Sequence, residues 1–145
     1  MAMNNAGDQA TLNALNEQRN GFVLEAEMRG LRAEGKRREI VSLRLVVDAT
    51  TLEVSRLTDL ILRLQQQQQQ QQQEQPNVPE PMLAERIAMM NQLLEGHQAR
   101  LPIVEEEIVT ATTEAEAFQA ASDAAQSSAN EIRALISETL KTMGM

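Results

Sequence analysis

The sequence has no cysteine, tryptophan or tyrosine, one histidine (His97), and only two aromatic residues, Phe22 and Phe118. Without cysteine there is no disulfide, no thiol nucleophile and no cysteine-ligated zinc. The shortage of rings leaves any core to Leu, Ile, Val, Met and Ala, a mixture that suits helices and poorly suits a β-sandwich. It also weakens any scheme in which rings stack on bases or hold a flat ligand. Long hydrophobic runs are missing too. The apolar stretches, such as Leu45-Val46-Val47, fall far short of the roughly 20 residues needed to span a bilayer. The first residues show no basic segment followed by an apolar block, so they do not read as a secretory signal. The expectation is a soluble chain, intracellular or inside a virus particle. There is no glycine-rich phosphate loop, no Ser/His/Asp constellation and no Glu-x-x-His motif. A catalytic role, a cofactor, a metal and a small-molecule substrate are therefore not expected.

What is present is heptad periodicity. With Ile40 at position a, Val47, Val54 and Ile61 also fall on a, and Leu43, Thr50, Leu57 and Leu64 fall on d. β-Branched residues at every a and Leu at three of four d positions mark a helix laid along another helix. Upstream, Asp8 is a candidate N-cap, and Leu12, Leu15, Arg19, Phe22 and Ala26 carry the 3–4 spacing into this seam. The seam is weakest where Ala26, Arg29, Ala33 and Lys36 occupy a and d, with Gly30 and Gly35 between them. Each Gly costs about 1 kcal/mol relative to Ala in a helix interior. A continuous helix is expected there, the rival being a bend near Gly30–Gly35 or at Asn20-Gly21.

Beyond Leu64 lie nine glutamines, Gln65–Gln73, which have the propensity to prolong the helix. Pro76, Pro79 and Pro81 then interrupt it, and Pro81 suits the first position of a following helix. A second series starts there: Leu83, Ile87, Met90, Leu94, His97, Leu101, Val104, Ile108, Ala111, Ala115, Phe118, Ser122, Ala125, Ala129, Ile132, Ile136, Thr139 and Met143 alternate in steps of four and three. Pro102 sits off the seam at b, so the second helix is read as kinked or broken near 96–102. Lys141 and Gly144 mark its end.

The expected fold is all-α: a long helical hairpin or coiled coil. It has a disordered N-terminus (1–7), a first arm (8–75) ending in polyglutamine, a proline hinge (76–81), and a second arm (82–143). A short connection favours antiparallel neighbours, residue i lying near 156 − i in a rod of about 100 Å. The alternative keeps the hinge open, each arm pairing with another chain. The helix-packing seam is expected at Ile40, Leu43, Val47, Val54, Leu57, Ile61 and Leu64 on the first arm. On the second it comprises Ile87, Met90, Leu94, Leu101, Val104, Ile108, Phe118, Ile132 and Ile136.

Two surface features bear on function. Leu24, Leu31, Leu45 and Leu52 recur at multiples of seven on face f, opposite the seam, with Val41 and Leu62 beside them. Leaving them in water forfeits about 1.5–3 kcal/mol each, so a further helix is expected to cover them. The other feature is a basic cluster, Arg29, Arg32, Lys36, Arg37 and Arg38, a candidate contact for anions. The rival reading is neutralisation by nearby glutamates and the acidic second arm. Residues 1–73 hold nine Lys/Arg against nine Asp/Glu, and residues 74–145 hold four against twelve, so the second half carries the whole net charge of −8. An acidic chain is a poor nucleic-acid binder.

The functional expectation is a non-enzymatic structural subunit. Its partners would be other copies of itself or other helical proteins, building a multisubunit complex or a virus particle. The alternatives are an adaptor binding nucleic acid or an anionic surface through residues 29–44, and a transient capsid scaffold.

Overall fold

The structure, a computed structural model, describes residues 5–74 and 81–144. Two helices account for nearly all of them: α1, Asn5–Glu74, and α2, Pro81–Thr142. They pack against each other as an all-α helical hairpin. Of the proline hinge expected at 76–81, residues 76–80 lie outside the described residues, as do residues 1–4, and Pro81 opens α2. Asn5, Ala6 and Gly7, expected in a disordered end, are already helical, so Asp8 is an acidic residue of the first turn and not the N-cap. A carboxylate there still complements the free amides of a helix start.

α1 is one continuous helix through Asn20-Gly21 and Gly30–Gly35, as expected, whereas α2, expected to be kinked or broken near 96–102, runs as one helix through Pro102. Proline removes one donor, leaving the Gln98 carbonyl without its usual helical partner. Because Pro102 lies off the seam, the apolar row keeps its phase on both sides of it. α2 ends at a glycine that adopts φ +77°: Gly144 N–H donates to the Lys141 carbonyl and Met143 N–H to the Thr139 carbonyl, both at 3.0 Å. A positive φ is free of Cβ strain only at glycine, so Gly144 stops the helix as expected.

The helix pair comprises two compact units. The first combines Met1–Arg38 with Ala111–Met145. Its interior is built from small side chains: Ala26, Ala33, Ala111, Ala115, Ala125 and Ala129 are buried with Ile136, and Phe22, Phe118 and Ile132 are half-buried. Small residues let the backbones come close. Ser122 Oγ donates to the Ala26 carbonyl at 2.7 Å, and a Cβ placed on Gly30 would stand 3.4 Å from that same oxygen. Gly30 is thus where α2 presses on α1, and packing offsets its poor helix propensity.

The second unit, Glu39–Thr110, carries the larger side chains. Ile40, Leu57, Ile61, Leu64, Leu83, Ile87 and Val104 are buried, and Leu64, Leu83 and Ile87 form a cluster flanked by Leu60 and Met90. Leu43, Val47, Val54, Leu94, Leu101 and Ile108 are half-buried. Thr50 is buried at its d position, and among the described residues no buried side-chain polar atom lacks a partner.

The register differs from the one expected from the hinge midpoint. In the first unit Lys36 meets Glu114 and Arg32 lies over Phe118, so facing residue numbers add to 150 rather than 156. In the second unit Leu64 packs with Leu83 and Ile87, the same register within one turn. The seam at 40–64 therefore faces about 86–110 instead of 92–116. The physical reason is that side-chain fit, Leu64 on Ile87 and Ser122 under Gly30, fixes the register. The connection only has to be long enough to permit it.

Candidate interaction surfaces

The basic cluster lies in the first unit, and most of it is engaged within the chain. Lys36 Nζ stands 2.7 Å from Glu114 Oε2, Arg37 donates to Gln119 Oε1 at 2.5 Å, and Arg38 pairs with Glu34 at 2.8 Å, one turn away on α1. The Arg32 guanidinium sits 5.9 Å from the centre of the Phe118 ring, within cation–π range. These are exposed pairs, worth a few tenths of a kcal/mol to about 1 kcal/mol each. The contacts of Arg32, Lys36 and Arg37 cross to α2 while that of Arg38 stays on α1, and all draw on the charge that an external anion would need. Arg29 and Arg32 also edge a shallow depression of about 350 Å³ with Gly21, Leu24, Glu25 and Met28, where Gly21 contributes no side chain.

Leu24 and Leu31 in the first unit, and Leu45 and Leu52 in the second, are between 57% and 72% exposed, as the heptad phase requires for face f. Val41 and Leu62 are exposed as well. Sequence reasoning missed a comparable row on α2. Met82, Met89 and Ile103 repeat at multiples of seven with Gly96 between them, and Leu93 stands beside them, all exposed. The signal was there in the sevenfold spacing. It escaped notice because Gly96 breaks the row and methionine scores less strongly than leucine.

His97 is half-buried in the second unit, as a seam residue should be. Glu53 lies close enough to feel its charge. Hydrogen bonds from Arg56 hold the Glu53 carboxyl below its usual range, with the charges of Arg56 and His97 adding to the effect. The same pairing raises Arg56. Glu105, Glu106 and Glu107 are exposed and point around the helix, and no group of three His, Asp or Glu side chains converges among the described residues. No helix among them is long and apolar enough to cross a membrane.

The chain matches no family model, no curated protein and no solved structure. Any functional reading therefore rests on its own surfaces.

Proposed function

We propose that the chain is a non-enzymatic helical-hairpin subunit that builds a larger helical assembly, in a multisubunit complex or a virus particle. One observation carries this reading: large apolar side chains stand in water at helical repeats on both helices, Leu24, Leu31, Leu45 and Leu52 on α1 and Met82, Met89 and Ile103 on α2. Scattered apolar residues are ordinary on a surface, but rows at a sevenfold repeat are what a further helix covers. Two helices also have little interior of their own, so a pair alone is marginal. The basic cluster supports an anion-binding role less well, because four of its five side chains, Arg32, Lys36, Arg37 and Arg38, already hold partners on α1 or α2.

The test is molecular mass in solution together with helicity, measured from about 1 to 100 µM, a range chosen around ordinary association constants. The expected result is either a species heavier than the 16.1 kDa chain or a chain that becomes fully helical only with a partner. A fully helical, thermally stable single chain throughout that range overturns the proposal.

A further inference from the structure

The two units bury unequal amounts of apolar side chain, and we infer that the first is a clasp that opens while the second stays closed. From Ile40 to Leu64 and from Leu83 to Ile108, every a and d position except Thr50 and His97 holds Leu, Ile, Val or Met. In the first unit Ala26, Ala33, Ala111, Ala115, Ala125 and Ala129 fill such positions, with Arg19, Arg29, Lys36 and Ser122 at others. Among the described residues, Ile136 is the one large apolar side chain buried there. Alanine removes far less area from water than leucine or isoleucine. Parting the helices therefore costs less over 5–38 and 111–142 than over 40–64 and 83–108.

Local preference does not reverse this. Gly96 and Pro102 weigh on the second unit about as much as Gly21, Gly30 and Gly35 weigh on the first, so burial decides. The polar contacts across the first unit add little. Lys36 with Glu114, Arg37 with Gln119 and Arg32 with the Phe118 ring are all at least partly open to solvent, where such contacts are weak. The same contacts define what the clasp holds. Closed, it engages three cations of the basic cluster and half-buries Phe22 and Phe118, the two rings of the chain. Open, it releases those cations and uncovers both rings together.

This inference does not rest on the assembly reading. The test is amide hydrogen exchange of the full chain at about 1 µM, corrected for intrinsic rates and followed in each unit away from the helix ends. Amides of 15–38 and 111–136 are expected to exchange at least ~10-fold faster than those of 40–64 and 83–108. Gly35→Ala, whose methyl meets open space, is expected to slow the first unit about 2- to 5-fold. Ile61→Val trims a buried side chain of the second unit, so it should quicken that unit about 2- to 10-fold and leave the first unchanged. Equal exchange in the two units, or a slower first unit, overturns the clasp. So does a first unit indifferent to Gly35→Ala, or one that quickens with Ile61→Val, since the two would then open as one body. Rapid exchange throughout marks a chain that folds only with a partner, which overturns the clasp while the assembly reading stands. A stable, fully helical single chain showing the expected contrast does the reverse.

Discussion

At the scale of single residues, two glycines in α1 have opposite surroundings. Nothing lies within 4 Å of a Cβ built on Gly35, whereas one on Gly30 meets Ser122 Oγ at 3.4 Å. Gly35→Ala therefore gains the full propensity difference, about 0.5–1 kcal/mol, and raises the melting temperature. Gly30→Ala is expected to gain less, because its methyl would stand in van der Waals contact with Ser122 Oγ and crowd the hydroxyl that donates to the Ala26 carbonyl. Thermal unfolding of the two variants side by side reads the difference, and equal gains would contradict the close approach. Glu53 gives a pH effect whose sign follows from its pairing. Its carboxyl titrates below the ordinary range in the folded chain. The stabilisation is thus present above the unfolded value and is lost as pH falls through the lower folded one. The pair is partly open to solvent, so the effect is small. Between pH 5 and pH 3, Glu53→Gln is expected to lose less melting temperature than the wild type, each compared with its own value at pH 7.

At the scale of the helices, Pro102 is the clearest mismatch between local preference and fold. A proline inside a helix costs about 3 kcal/mol through a missing donor and a crowded carbonyl. Yet α2 continues through it, because Leu101, Val104 and Ile108 keep contact with α1 on either side. Pro102→Ala should therefore raise the melting temperature without changing the helical content. A variant less stable than the wild type would mean that the seam depends on a kink there. The same contest explains what could be read in advance. The a and d residues from Ile40 to Leu64, and their counterparts from Leu83 to Ile136, were legible because burial of one stripe imposes a period that the sequence has to display. The continuity of α2 was not, since a local breaker says nothing about the packing that overrides it. The register was not legible either. Many heptad-related alignments bury the same stripe, and the choice is made by particular fits such as Ser122 under Gly30. The α2 surface row was hidden by Gly96, which reads as a breaker in sequence and leaves one place in the row without a side chain once it sits on a helix face.

At the scale of the whole molecule, the uneven charge acquires a physical consequence. The net −8 belongs to the second half of the sequence, so copies of this chain repel at long range. Exposed charges of both signs in the second unit, Asp48, Asp59, Arg44 and Arg63 on α1 and Glu85, Arg86 and Arg100 on α2, are available for ion pairs between copies. Salt then acts on two opposed terms. It screens the general repulsion over about 10 Å at 0.1 M, and it weakens the exposed cross-pairs. Because each copy carries a net −8 while an exposed pair contributes little, the repulsion is the larger salt-sensitive term. Association of the wild-type chain is therefore expected to strengthen between about 0.02 and 0.3 M salt, an interval over which screening of surface charge is nearly completed. In the same range its melting temperature should rise with protein concentration, since binding of the folded form by another copy adds to stability by mass action. Calorimetry at two concentrations and two salt levels measures both. A melting temperature independent of concentration would mean that each copy is complete alone. A decline of association with salt would mean that the ion pairs, and not the leucine and methionine rows, hold the copies together.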